Sequence, residues 1–318
     1  MAESRNQPTR IAIVGAGNVG STFAYALMLS GLSSEIVMID NNLSKAEGEV
    51  MDLNHSVPMT SPTQIWVGDF KDCAGAAVTV VTAGSAQNPG ETRLDLVQRN
   101  ANIFKQIIPE VARHNPEGII LIATNPVDVL TYAAIKMSGL SSHRVIGSGT
   151  ILDTARFRYL LSQHLGVDPR SVHAFIIGEH GDSEVPVWSL ANVAGMHLPD
   201  FCRLNGRGCG EEDRERIFAQ TRDAAYRIIE RKGSTYFAIG ASLLRLVEAI
   251  LRNQNTIFSI SSYIKDYYGI SDLCLSIPSI VDRGGVEKVI MLDLNQREID
   301  GLRESAEVLK NIISQLKL

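Results

Sequence analysis

Four apolar residues, Ile11-Ala12-Ile13-Val14, run directly into Gly15-Ala16-Gly17-Asn18-Val19-Gly20. This spacing, set between a strand pattern and a helix pattern, suits the binding of a dinucleotide pyrophosphate. Gly15 allows a tight turn, Gly17 leaves room for phosphates to approach the backbone, and Gly20 lets helix and strand pack closely. The N–H groups at the helix start, from Asn18 and Val19, then face the phosphates at the positive end of the helix dipole. Taken alone, the glycines are equally an ordinary turn. Asp40, 20 residues beyond Gly20 at the end of the next strand pattern, adds a carboxylate that can accept from a ribose 2′-hydroxyl. Its charge repels a 2′-phosphate, and Asn41 and Asn42 supply no compensating cation, so NAD is expected over NADP.

These residues need a scaffold, and the first half of the chain reads as one. Arg10 to Val14, Ile36 to Ile39, Gln64 to Val67, Val78 to Val81, Ile119 to Ala123 and Arg144 to Ile146 are short, β-branched runs. Helical patterns such as Val19 to Ser30 and Arg93 to His114 separate them, and Pro109 is expected to kink the second. Nearly continuous apolar strands joined by helices imply a parallel sheet covered on both faces. The expected fold is α/β: a doubly wound (Rossmann) NAD-binding domain over residues 1–147 and a mixed α+β substrate domain over 148–318. In the second part, helices are expected at Leu152 to Leu165, Glu211 to Arg231 and Thr235 to Leu251, and a last one ends at Leu318. Strands are expected at Val172 to Ile177, Thr256 to Tyr263 and Leu275 to Ile280, and Leu204 to Gly210 is expected to be an exposed loop.

Composition narrows the function. Of 318 residues, 45% are apolar and 20% charged, values of an ordinary globular chain. A net charge of −5 argues against nucleic-acid or anionic-membrane partners, which require clustered excess Lys and Arg. No apolar run approaches the roughly 18 residues that span a bilayer, and Met1 to Arg10 lacks a signal-peptide core, so a cytoplasmic protein is expected. Cys73, Cys202, Cys209 and Cys274 show no metal-ligand or C-x-x-C spacing and are expected to be reduced, without a metal site.

Four further segments carry polar residues: Gln87 to Arg93, Thr124-Asn125-Pro126, Asp153 to Arg158, and Gly178-Glu179-His180-Gly181-Asp182. Each has a plain alternative. Arg93 reads as a solvated charge, Asn125 as a strand-end turn, Asp153 with Arg156 as a helix-surface ion pair, and His180 as a satisfied histidine. On a helix, Asp153 and Arg156 share a face, whereas Arg158 points about 200° away from Arg156.

Taken together, these segments and the glycine fingerprint resemble the L-2-hydroxyacid dehydrogenases, the lactate and malate dehydrogenase family, over nearly the whole chain. The resemblance implies that His180 is the acid/base, donating a proton as a nicotinamide delivers hydride to a carbonyl carbon, and that Asp153 holds its other ring nitrogen. It also implies that Arg156 forks the substrate carboxylate, that Arg93 sits on a lid and polarises the carbonyl, and that Asn125 supports that oxygen or the nicotinamide ribose from a cis Asn125–Pro126 bond. Thr235 is expected to border the substrate methyl. Gln87 matches the lid position that carries Arg in malate dehydrogenases, which favours pyruvate and L-lactate over oxaloacetate and malate. Arg158 and His173 match an anion site for fructose 1,6-bisphosphate at a two-fold axis, and a homotetramer is expected. Alternatives are a malate or other 2-hydroxyacid dehydrogenase and, in a different class, a catalytically silent NAD-binding module.

Overall fold

A computed structural model describes residues 9–85 and 93–317, without the Arg93 side chain; Gln87 lies outside the described residues. The first half alternates β1 (Arg10–Val14), α1 (Asn18–Ser30), β2 (Glu35–Ile39), α2 (Leu43–Ser56), β3 (Gln64–Val67) and β4 (Val78–Val81). It continues with α3 (Arg93–His114), β5 (Ile119–Ile122), α4 (Val127–Ser138) and β6 (Val145–Gly147). These six strands pair in parallel in the order β6-β5-β4-β1-β2-β3, which is the doubly wound topology. All four residues of β4 and of β5 are buried, because helices cover both faces. Phe23 and Leu27 of α1 pack on one face, and Phe104 and Ile108 of α3 on the other. Helix α3 continues through Pro109.

The second half supplies α5 (Ile151–Leu165), β7 (Val172–His173), β8 (Ile176–Ile177), β9 (Val185–Pro186), β10 (Asn192–Val193) and β11 (Met196–His197). Then come α6 (Leu198–Leu204), α7 (Glu211–Arg222), α8 (Ala224–Lys232), α9 (Phe237–Leu251), β12 (Thr256–Ile264), β13 (Leu273–Asp282), β14 (Gly285–Val289) and α10 (Gln296–Ser314). Strands β12, β13 and β14 run antiparallel and extend the first sheet beyond β6, so one sheet of nine strands crosses both halves among the described residues. Helix α9 returns to the first half and packs Leu243, Leu246 and Val247 into the cluster that holds Phe23 and Leu27.

Three expectations are corrected. The strand expected at Val172 to Ile177 is two strands, because the chain leaves β10 after His173 and takes up β9 at Ile176. The long helix from Glu211 is two helices that meet at Asp223, whose ψ of −4° departs from the helical value. Cys202 and Cys209 are joined in a disulfide, with Cα atoms 6.1 Å apart, because the loop after α6 folds back. Pairing set by a loop's path leaves no mark in cysteine spacing. Among the described residues, no helix is long and apolar enough to cross a membrane.

The fingerprint glycines are constrained in different ways. A Cβ on Gly20 would stand 1.9 Å from the Gly15 carbonyl oxygen, whereas one on Gly17 would meet nothing within 4 Å. Gly20→Ala is therefore expected to destabilise the fold by about 2 kcal/mol or more, read as a Tm several degrees lower. Gly17→Ala should leave Tm nearly unchanged, and equal melting of the two variants would contradict this packing.

Candidate active site

The site lies at the carboxyl ends of the parallel strands. Chains joined by right-handed crossovers leave a crevice there. Val14 of β1 ends at Gly15, whose φ of +113° is open to glycine and whose N–H donates to the Ile39 carbonyl at 2.7 Å. Helix α1 begins after Gly17 with no side-chain cap and no acidic residue in its first turn. Its first N–H groups and dipole are therefore available to an anion. Asp40, just past β2, accepts from the Ala16 N–H at 2.6 Å and from the Asn42 N–H at 2.8 Å. Those bonds fix the carboxylate beside the glycine turn. The open volume at Gly17, the uncapped helix start and the placed Asp40 carboxylate all fit a dinucleotide. Asn18 and Val19 lie in that first turn, and the Asn18 amide donates to the Ser234 hydroxyl at 2.9 Å, tying the turn to the segment that holds Thr235. Asn125, exposed after β5, is joined to Pro126 by a cis bond, as expected.

Helix α5 begins after β6 and carries Asp153 and Arg156 one turn apart. Arg156 donates to Asp153 Oδ1 at 2.8 Å, and His180 Nδ1 lies 2.5 Å from Asp153 Oδ2. The Asp153 side chain is 4% exposed, His180 22% and Arg156 12%. Burial alone would lower the His180 pKa. The charge of Asp153 and the hydrogen bond to it outweigh burial and raise that pKa to about 9. Burial would likewise raise Asp153, but the His180 and Arg156 charges hold its carboxyl below the usual value. The result is a buried cation–anion–cation arrangement. It can hold a proton ready for donation at neutral pH, next to a guanidinium that retains further donors.

Two acidic residues missed by sequence reasoning support it. Asp128, in the first turn of α4, accepts the His180 N–H at 2.7 Å and the Ser276 hydroxyl at 3.1 Å. It thereby fixes the His180 backbone from across the sheet, and burial pushes its carboxyl up to about 6. Its place after Asn125-Pro126 was the available signal. Glu184 is buried, and burial followed by the Asp153 charge pushes its carboxyl up to about 9, so it is neutral at pH 7. Nothing in local sequence marks it.

The remaining expected residues lie as follows. Thr235 is half-buried between α8 and α9, and Arg93 is the first residue of α3. Arg158 turns to the opposite side of α5. Its Nε donates to the Ala174 carbonyl at 2.9 Å, and its guanidinium lies 5.2 Å from the Phe175 ring centroid. His173 is exposed on the adjacent strand. A cavity on that side of α5, about 460 Å³, is lined by Arg158, Arg170 and Arg245, and His173 lies outside its lining.

The same architecture occurs in known proteins. Residues 9–147 match the lactate/malate dehydrogenase NAD binding domain, and residues 150–317 match the lactate/malate dehydrogenase alpha/beta C-terminal domain. The L-lactate dehydrogenase of Acetivibrio thermocellus is 53% identical, covering 97% of this chain and 98% of its own length. L-lactate dehydrogenase 1 of Clostridium acetobutylicum is 48% identical, covering 97% and 98%. The crystal structure of minor L-lactate dehydrogenase from Enterococcus mundtii superposes with a TM-score of 0.95 at 42% identity, covering 98% of this chain and 99% of that one.

Asp153→Asn removes the anion but leaves the burial. The His180 pKa should then fall well below about 9, followed by NMR titration of the imidazole. A value that stays near 9 would show that Asp153 does not hold the proton.

Proposed function

Because the chain belongs to the lactate/malate dehydrogenase family of NAD-dependent oxidoreductases, we propose that it interconverts pyruvate and L-lactate. The observation that carries this reading is the buried Asp153, shared between His180 at 2.5 Å and Arg156 at 2.8 Å. The uncapped N–H groups of the first turn of α1, from Asn18, Val19 and Gly20, take the pyrophosphate that the turn at Gly15 and Gly17 admits, Asp40 takes ribose hydroxyls and Asn125 the nicotinamide side. Bound NAD supplies the hydride acceptor for lactate oxidation and, reduced, the donor for pyruvate reduction.

The chain's own residues do the rest. Arg156 holds the substrate carboxylate with two parallel hydrogen bonds, which places the carbonyl oxygen toward His180. Protonated His180 donates to that oxygen as pyruvate is reduced, and neutral His180 accepts the proton of lactate. Asp153 holds the imidazole in the orientation that presents Nε2 to the substrate, and it stabilises the imidazolium. Neutral Glu184 adds no second anion to compete with the substrate for Arg156. Arg93 stabilises developing charge on the same oxygen, and Thr235 borders the methyl.

Gln87 selects the acid. A second carboxylate would meet a neutral amide in a closed site, at a penalty of about 3–4 kcal/mol, or a few hundred-fold against oxaloacetate. Outside the site, the exposed apolar side chains of Tyr25, Leu29, Leu43, Met51 and Phe237 on α1, α2 and α9 support a homo-oligomer, here read as a tetramer. Arg158, bonded to the carbonyl of Ala174 next in sequence to exposed His173, supports a fructose 1,6-bisphosphate site at a two-fold axis, where each side chain would count twice. A cytoplasmic location accords with this chemistry.

The test is NADH oxidation with pyruvate and with oxaloacetate, each with and without fructose 1,6-bisphosphate. Pyruvate is expected to be preferred by roughly a hundred-fold or more in kcat/KM, with its KM lowered by the bisphosphate. Preference for oxaloacetate would overturn the substrate reading, and an unchanged KM and sedimentation coefficient would overturn the activator. Gln87→Arg should reverse the preference. Arg156→Lys keeps the charge but loses the fork, so kcat/KM for pyruvate should drop by about 100-fold or more; near-normal kinetics would remove Arg156 from its role.

A further inference from the structure

The disulfide between Cys202 and Cys209 closes a short ring at the surface of the second half. Cys202, on α6, is 3% exposed and lies in the core cluster with Phe157 and Leu161 of α5. Cys209 is half-buried at the edge of that cluster, and residues 203–208 between them are all exposed. A buried sulfur is thus bonded to one near the surface, and the ring is closed again by the Arg207 N–H donating to the Cys202 carbonyl at 2.9 Å.

Helices α7 and α8, which touch the elements of the candidate site, follow this ring directly in the chain. Helix α7 starts at Glu211, two residues after Cys209, and its N-cap Gly210 offers no side chain to hold it. The Gly208 carbonyl is bonded to His164, on the same helix α5 that carries Asp153 and Arg156. Ile217 and Phe218 of α7 pack into the Phe157 and Leu161 cluster. After the break at Asp223, Tyr226 of α8 donates to Asp182 at 2.9 Å, in the loop that presents His180. Beyond α8, Ser234 accepts from Asn18, next to Thr235. The path from the sulfur atoms through α7 and α8 therefore touches α5, the His180 loop and the dinucleotide turn in order.

We propose that Cys202–Cys209 is a thiol–disulfide exchange site for a low-molecular-weight thiol/disulfide couple, and that its oxidation state sets how firmly α7 and α8 are held against α5 and the His180 loop. In the opening direction, a small thiolate attacks Cys209 Sγ, the bond to Cys202 breaks, and Cys202 leaves and takes up a proton. A second small thiolate attacks the mixed disulfide and expels Cys209, which is protonated in turn. Two small thiols are oxidised to one disulfide as the protein disulfide gains two electrons and two protons, and closure is the reverse. The other cysteines do not compete. Cys73 and Cys274 are fully buried, and burial pushes the Cys73 thiol up to about 11 and that of Cys274 well above its ordinary value.

The full-length enzyme, equilibrated against oxidised glutathione or against reduced glutathione with dithiothreitol, provides the test. At the oxidising end, alkylation after denaturation should find two free thiols, Cys73 and Cys274, and at the reducing end four. Trypsin cleavage at Arg207 should be about ten-fold faster in the reduced enzyme, because opening frees the segment. The KM for pyruvate should rise about two- to five-fold on reduction, with kcat less affected. Cys209→Ser, which spares the buried sulfur, should show the reduced-state proteolysis and KM at both ends. Four thiols at the oxidising end would overturn the proposal, as would two thiols with proteolysis and KM unchanged between the ends, or a Cys209→Ser enzyme that still responds. Only the kinetic arm rests on the pyruvate reading. Absence of pyruvate turnover in both states would count against that reading, while thiol count and proteolysis would still decide this one.

Discussion

Asp153 is a carboxylate that the fold places almost out of water and leaves ionised. An isolated anion there would neutralise itself, since the burial penalty exceeds anything a carboxyl can offset alone. It stays charged because two cations meet it, His180 on one oxygen and Arg156 on the other. The arrangement is mutually dependent: Asp153 raises His180, and the His180 and Arg156 charges lower Asp153. This links catalysis to stability. The stability added by the protonated His180 pair is complete below about pH 6.5, the ordinary imidazole value, and is lost as pH rises through about 9, where the folded histidine releases its proton.

Three elements from distant parts of the chain make that meeting possible. Helix α5 emerges from β6 at the carboxyl edge of the sheet and supplies the carboxylate and the guanidinium. The loop after β8 supplies the imidazole, and α4 reaches under it so that Asp128 fixes the His180 backbone. Ser276 of β13 holds Asp128 in turn, so the antiparallel extension of the sheet is part of the positioning of the site. The glycine turn after β1 lies at the same edge, so it and the Asp153–His180 pair share one end of the sheet.

Features that rest on local geometry were legible in the sequence. The turn at Gly15 to Gly20, the parallel strands, and Asp153 with Arg156 on one helical face all follow from spacing. Features that depend on burial were not. Asp128 and Glu184 look like surface acids in the sequence, and their raised carboxyl pKa values come first from burial, which only the assembled fold provides. The split of the strand at Ala174 reflects its tertiary partners, β10 on one side and β9 on the other. Cys202 and Cys209 pair because a glycine-containing loop turns back on itself. Gln87 and the Arg93 side chain carry expectations from resemblance that the described residues do not reach.

In the proposed mechanism one buried pair, Asp153 with His180, holds the proton that moves with the hydride. The most direct measurement is kcat/KM against pH in both directions on the same enzyme. The profiles should be mirror images: pyruvate reduction level at neutral pH and falling with one-proton slope through about 9, and lactate oxidation rising over the same interval. Profiles that move in the same direction, or that both turn near the ordinary imidazole value of 6.5, would contradict it.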